Sequence, residues 1–206
     1  MLGEVKLLAE QLGSAEGLSA LSRTAPLLPF ERVTDLASLR RFIREYHSPV
    51  LLPLELSAIC RAYHHVSRYE FDELIDLDRR MAGQPLWQSL ATASQRVGKN
   101  QLKRLRPLRD QRLVQRYLRA VEAGEAHAWH TLIYGLILSL YSLPLRPGLL
   151  SYAQRTTRGF ISAVSGRLRL AESEARQLLE DTSAAFPAAI EQALDSSDCQ
   201  PRLLVI

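Results

Sequence analysis

The stretch HAWHTLIYGLILSLYSLP, residues 127–144, decides the fold of this 206-residue chain. From Ala128 to Leu145 it contains no Asp, Glu, Lys or Arg. Its most apolar part is shorter than the roughly 20 residues that a bilayer requires, and Gly135, Ser139 and Pro144 interrupt it. The stretch therefore predicts a helix buried in a protein core, and not a membrane span.

The rest of the chain also favours helices. Leu, Ala and Arg are abundant, whereas aromatic residues make up only 7% of the chain, and no apolar run alternates with a period of two. We expect an all-α, single-domain bundle of about nine or ten helices around the central apolar helix. This domain would span residues 1–206, with a variable N-terminal segment at 1–31 and a tail at 196–206.

Caps and prolines mark the helix boundaries. Thr34 or Asp35 is placed to cap a helix that begins at residue 36. Pro49 predicts a new helix start, and SRYE at 67–70 predicts a capping box before FDELIDLDRRMA. Pro85 predicts the first turn of a long helix that Pro107 closes.

The two cysteines, Cys60 and Cys199, are too few for a disulfide framework. The N-terminal residues MLGEVKLLAEQLGS lack the apolar core of a signal peptide. We therefore expect a reducing, cytoplasmic location.

Three clusters could carry chemistry. His127 and His130 stand three residues apart and could face one metal ion, although two ligands do not make a site. Cys60 and His64 lie one helical turn apart. They could be a nucleophile and its base or half of a metal site, but no third group is identifiable, and an ordinary helix with Cys60 buried explains them as well. The acidic pair of Asp76 and Asp78 is expected to be solvated. We therefore expect no catalytic, cofactor-binding or metal-binding residue.

Charge is unevenly distributed along the chain. Residues 96–119 contain nine basic residues and one acid, whereas residues 172–198 contain seven acids and one base. This asymmetry indicates a charged partner or mutual packing of the two regions. The basic stripe could bind nucleic acid, but it has almost no aromatic residues and no helix-turn-helix pattern. An acidic protein partner explains it better.

Four stretches, taken in order, resemble the UreF family of urease accessory proteins. They are RVTDLASLRRFI at 32–43, LPLELSAICRAYHHVSRYEFDELIDLDRRMAG at 52–83, LATASQRVGKNQLKRL at 90–105, and the segment at 130–179. The positions that match the family's motifs in the last two stretches are Ala93, Ser94, Gly98, His130, Gly135, Pro144, Leu150 and Tyr152.

The resemblance implies an all-α, non-enzymatic protein without a cofactor. Such a protein dimerises and binds a UreD/UreH-type scaffold protein and a UreG-type GTPase. As an accessory chaperone it helps to insert nickel into apo-urease, with carbamylation of the metal-bridging lysine. The implied protein binds neither nucleic acid nor membranes. A helical nucleic-acid-binding or regulatory protein is the alternative.

The resemblance also suggests where partners bind. Arg167 and Arg169 lie near a basic position of the family and are expected to form a contact patch. A solvated loop between helices is the alternative interpretation of these two residues. The family's terminal motifs are only partly present: RLAE at 169–172 replaces the P-L-G-Q turn, and PRLLVI replaces the usual C-terminal motif. The remaining end contacts are Gly17, Leu18, Arg202 and Leu203.

Overall fold

The described part of the chain is built from helices. The structure, a computed structural model, describes residues 33–108, 111–195 and 199, apart from the side chains of residues 89, 90 and 93. Within these ranges there is no strand, which confirms the all-α prediction. The α-helices are α1 (Leu36–Tyr46), α2 (Leu56–Ser67), α3 (Phe71–Ala82), α4 (Pro85–Arg104), α5 (Arg112–Glu122), α6 (His130–Leu140), α7 (Leu145–Leu168), α8 (Glu172–Ser183) and α9 (Phe186–Asp195).

Asp35 caps α1, as predicted. Its carboxylate accepts a hydrogen bond from the backbone N–H of Ser38 at 2.8 Å, and the Ser38 hydroxyl accepts one from the backbone N–H of Asp35. These reciprocal bonds satisfy two N–H groups that a helix start leaves unpaired. The helix buries Leu39, Phe42 and Ile43 and thus fixes the face that packs on the core.

The predicted helix start at Pro49 is wrong. Instead, α1 continues into α2 through a π-helical segment, His47–Glu55, that contains Pro49 and Pro53. A proline lacks an N–H donor, and in an α-helix its ring would clash with the carbonyl four residues earlier. The wider turn shifts hydrogen bonding to the fifth residue, as in the bond from the Leu56 N–H to the Leu51 carbonyl. The chain therefore passes both prolines without a break.

The capping box predicted at residues 67–70 is also wrong. The last turn of α2 includes Ser67, whose hydroxyl donates to the carbonyl of His64 at 2.9 Å. Tyr69 then adopts a left-handed conformation with φ of 59°. Glu70 pairs with His65, and α3 begins one residue later without a side-chain cap.

The α6 helix is buried from Thr131 to Leu138. It packs mainly against α2 and next against α4. The contact with α2 depends on Gly135, because a Cβ atom there would lie 2.4 Å from the carbonyl oxygen of Ile59. Such a distance is far inside van der Waals contact, so glycine lets the two backbones approach each other. The apolar stretch thus forms a buried helix, as expected, but it ends at Leu140, four residues before Pro144.

The contact between α4 and the segment before α6 also depends on a glycine. A Cβ atom on Gly98 would lie 1.9 Å from the carbonyl oxygen of Ala128 and 2.9 Å from the backbone nitrogen of His130. Both neighbours are backbone atoms and cannot rotate away. Gly98 therefore sets the distance between α4 and the start of α6.

The remaining helices cover α1 and α2. The long α7 contacts α1, α2 and α6, while α8 and α9 pack on α7. Pro187 lies in the first turn of α9, where a proline is tolerated, and it separates α9 from α8. None of the described helices has both the length and the apolar character needed to cross a membrane. The helix count and the single-domain organisation, including the segment at 1–31, stay predictions.

Candidate functional site

The predicted partner-contact residues fall in two groups. Gly17, Leu18, Arg202 and Leu203 lie outside the described residues. Arg167 and Arg169 are described, and both are exposed. The two residues do not lie in one loop between helices, which was the alternative interpretation: Arg167 lies in the last turn of α7, and Arg169 follows the helix in a left-handed conformation with φ of 52°. Their role as a contact patch stays a prediction.

Arg167 joins two distant parts of the chain at the surface. Its guanidinium donates a hydrogen bond to the carbonyl of Val33 at 2.9 Å, just before α1. The positive charge thus lies where the end of α7 meets the start of α1. The turn at Arg169 directs the chain into α8, whose first turn carries Glu172 and Glu174. One exposed edge therefore carries two arginines followed by two glutamates.

The basic stripe at 96–119 forms an exposed surface on α4 and α5. Its described basic side chains are all exposed, namely Arg96, Lys99, Lys103, Arg104, Arg106, Arg112, Arg116 and Arg119. Arg106 pairs with Glu122 at 2.8 Å, and the guanidinium of Arg116 lies 3.8 Å from the centre of the Phe71 ring. We call this surface the basic face.

The acidic region forms ion pairs with other parts of the chain. Asp181 on α8 pairs with Arg40 on α1, and Glu191 on α9 pairs with Arg146 on α7. These pairs favour a charged partner for the basic face over mutual packing of the two regions.

His127 and His130 do not face one metal ion. His127 lies before α6, and its Nδ1 is 2.9 Å from the Asp78 carboxylate. His130 begins α6 and points toward Ser94 and Tyr152. Each imidazole thus has its own protein partners, which supports the interpretation that these histidines belong to the edge of the core.

A chain of hydrogen bonds connects His130 to a buried carboxyl group. The Ser94 hydroxyl accepts from the backbone N–H of His130 and is 2.7 Å from the Nδ1 atom of the same residue. The Tyr152 hydroxyl donates its only proton to Glu55, so its oxygen accepts from the Nε2–H of His130. The Nδ1 atom of the neutral imidazole then accepts from the Ser94 hydroxyl. Tyr152 and Tyr46 in turn donate to Glu55. We call Ser94, His130, Tyr152, Tyr46 and Glu55 the buried polar chain.

Burial controls protonation in the buried polar chain. It raises the pKa of Glu55 from 4.5 to about 7, and hydrogen bonds from the two tyrosines oppose this rise only in part. Burial also lowers the pKa of His130 from 6.5 to about 4. His130 is therefore neutral near pH 7, as its hydrogen bonds require. Within the described part of the chain, Glu55 Oε2 has no hydrogen-bond partner, so ionisation of this carboxyl is costly.

Replacement of Glu55 by glutamine should change how stability depends on pH. Because the pKa of Glu55 is higher in the folded protein, the contribution of Glu55 to the stability of the wild type falls as pH rises from about 4.5 through about 7. The Glu55→Gln variant lacks this loss. Relative to the wild type, its unfolding free energy should rise by on the order of 2–3 kcal/mol between pH 5 and pH 8. Urea denaturation at pH 5 and at pH 8, monitored by circular dichroism, would measure this difference in unfolding free energy.

The stability of the two proteins at low pH is the control for this experiment. The lowered pKa values of His130 and His47, both about 4, make the wild type and the variant lose stability together as pH falls below about 6.5. If the unfolding free energies of the two proteins changed with pH in the same way above pH 5, ionisation of Glu55 would not destabilise the folded protein.

Asp78 is a buried side chain with several hydrogen-bond partners that the sequence did not reveal. It was expected to be solvated beside Asp76, but Asp78 is 0% exposed, whereas the side chain of Asp76 is 61% exposed. Its carboxylate accepts from the Tyr117 hydroxyl at 2.6 Å and from two backbone N–H groups, those of His127 at 2.7 Å and Ala128 at 3.0 Å. Asp78 thus joins α3, α5 and the segment before α6.

Cys60 has a partner that the sequence did not identify. In the structure it forms a disulfide with Cys199, across 139 positions of sequence. The expectation that no third group accompanies Cys60 and His64 is therefore wrong. Among the described residues, these three are the group of Cys, His, Asp and Glu side chains arranged closely enough to hold a metal ion, with ligand atoms within 4.8 Å of one another.

The buried polar chain is poorly suited to catalysis. Ser94 and Glu55 are 3% and 2% exposed, so a substrate cannot reach them. The Ser94 hydroxyl already donates one bond and accepts another. These groups hold helices together, whereas the charged side chains at the end of α7 and on the basic face are exposed to solvent.

The UreF family model matches residues 33–183 of the chain. The matched range runs from just before α1 to the last residue of α8 and includes Gly98, Gly135 and the buried polar chain. No curated protein matches the chain. Proteins of this family have an accessory role for urease and are not known as catalysts. Since the match covers more than two thirds of the 206 residues, this chain belongs to the UreF family of urease accessory proteins.

Proposed function

We propose that this protein is a non-enzymatic chaperone for urease maturation. It binds a UreD/UreH-type scaffold protein and a UreG-type GTPase, and the complex assists nickel insertion into apo-urease in the cytoplasm. The family match over residues 33–183 is the observation that carries this proposal. A homodimer of the protein would present two copies of each binding surface.

The physical role is to hold partners in one arrangement. The hydrogen bonds of Asp78 and the close approaches at Gly98 and Gly135 fix the helices relative to one another. A rigid body loses little conformational entropy when it binds, so more of the contact energy contributes to affinity. It can also bind one conformation of a GTPase more tightly and thereby raise its population.

The proposed contact surface is the exposed edge formed by Arg167, Arg169 and the first turn of α8. Arginine suits such a surface because its planar guanidinium can pair with a carboxylate through two hydrogen bonds. The Arg167 side chain already contacts α1 through the Val33 carbonyl, which orders it before binding. We therefore expect a partner with exposed Asp or Glu side chains.

Charge reversal at this edge should abolish binding. We expect the double variant Arg167→Glu, Arg169→Glu to bind the scaffold protein or the GTPase at least tenfold more weakly than the wild type, because like charges would then face each other. Titration calorimetry with each purified partner would measure the dissociation constants. Arg158→Glu, which reverses an exposed charge elsewhere on α7, is the matched control.

Three readouts make this test decisive. Helical circular dichroism should be equal for the wild type, the double variant and the control. Binding by the control but not by the double variant supports the proposed surface. Equal binding by all three proteins would show that the partners contact a different surface. Failure of the wild type to bind either partner would contradict the proposed function itself.

A nucleic-acid-binding protein is the second candidate, and the exposed basic face is the observation that favours it. Phosphate contacts would make binding weaken steeply with salt. A gel-shift titration with duplex DNA at two salt concentrations would detect this. We expect no salt-dependent shift at physiological salt, because several of these charges are already engaged within the protein, such as Arg106 and Arg116.

A further inference from the structure

Three metal-ligating side chains converge at α2, outside the buried polar chain and the proposed contact surface. Cys60 and His64 are one helical turn apart, so both point to the same side of α2. Cys199 approaches that side from the far end of the chain, and the Cα atoms of the two cysteines are 5.8 Å apart. Its Sγ lies within 4.8 Å of the ligand atoms of the other two residues.

The surroundings suit metal binding by thiolates. Cys60 is 0% exposed and Cys199 is 2% exposed, so few water molecules compete for a bound ion. His64 is half-buried and forms the accessible side of the group.

We propose that the reduced protein binds one thiophilic divalent cation of the Zn²⁺ type through Cys60 Sγ, Cys199 Sγ and one nitrogen of His64. Two thiolates and one imidazole are ligands that Zn²⁺ prefers, and a water molecule on the His64 side completes a tetrahedron. The cation and the disulfide exclude each other, because both use the same two sulfur atoms. This proposal does not depend on any urease partner.

The conversion between the two states balances chemically. A dithiol reductant transfers two electrons and two protons to the Cys60–Cys199 disulfide, which becomes two thiols, while the reductant becomes a disulfide. Cation binding then releases the two thiol protons, so affinity rises with pH. The site therefore responds to both redox state and metal supply.

Cobalt and zinc binding would test the site. The full-length protein is reduced with a dithiol, freed of reductant without oxygen, and titrated with Co²⁺ alone. We expect the near-ultraviolet charge-transfer absorption of Co²⁺–thiolate bonds, and visible bands of a tetrahedral ion that saturate at one ion per chain. Equilibrium dialysis with Zn²⁺ should give the same stoichiometry. The oxidised protein should bind neither ion.

Single variants identify the ligands. Cys60→Ser, Cys199→Ser and His64→Gln should each weaken Zn²⁺ binding at least tenfold. His65→Gln is the matched control, because His65 is the next residue on α2 but pairs with Glu70. If Cys60→Ser fails to fold, Cys199→Ser tests the proposal instead, because Cys199 lies beyond the last described helix. Absence of thiolate absorption in the reduced wild type, or undiminished binding by Cys199→Ser, would overturn the proposal.

Discussion

Replacement of Gly98 by alanine should destabilise the protein by more than about 3 kcal/mol or prevent its folding. The new methyl group would have its centre 1.9 Å from the carbonyl oxygen of Ala128. This oxygen belongs to the backbone just before α6, and Ala128 is held in place because its N–H donates to Asp78. The clash can be relieved only if α4 and α6 separate. Chemical denaturation of Gly98→Ala and the wild type would measure the difference.

Gly166→Ala is the matched control. Gly166 also lies inside a helix, α7, but a Cβ atom there would have no neighbour within 4 Å. Alanine is a better helix former than glycine by roughly 1 kcal/mol, so this variant should be slightly more stable than the wild type. If both variants were more stable than the wild type by similar amounts, helix propensity and not backbone contact would explain the effect of Gly98.

Asp78→Ala should be comparably damaging, with a loss of about 3–5 kcal/mol in unfolding free energy. The substitution leaves the Tyr117 hydroxyl and the N–H groups of His127 and Ala128 without their buried acceptor. Each unsatisfied buried donor is costly, and the removed carboxylate also leaves a cavity. Thermal and urea unfolding should both show the loss.

Asp76→Ala provides the comparison, since Asp76 is on the same helix but mostly exposed. Its pair with Arg79 is separated by 3.9 Å at the surface, so its loss should cost less than about 1 kcal/mol. Tyr117→Phe should fall between the two aspartate variants, because it removes one of the donors to Asp78. Equal effects of Asp76→Ala and Asp78→Ala would contradict the central role of Asp78.

Local features of the fold were predictable from the sequence. The cap at Asp35 needs only Ser38, three residues later, and the first turn of α4 follows from Pro85. Errors arose where two local signals competed. Pro49 indicated a new helix, but a π-helical segment accommodates proline, and Ser67 was available to cap α3 but lies in α2 instead.

Features that join distant segments were not predictable from local pattern. Asp78 and Asp76 occupy similar sequence surroundings, and only the approach of α5 and of the segment before α6 makes one buried and the other exposed. Cys199 is likewise far from Cys60 in sequence, so a period or motif within α2 could not reveal it. The resemblance to the UreF family located Gly98 and Gly135, and the structure supplies the physical reason for each.

The Cys60–Cys199 disulfide covalently links α2 to a residue that lies beyond the last described helix and 139 positions away in the sequence. The bond holds the Cα atom of Cys199 5.8 Å from that of Cys60. A protein that binds beside Cys199 must therefore approach the molecule at α2. Reduction of the disulfide would remove this covalent link.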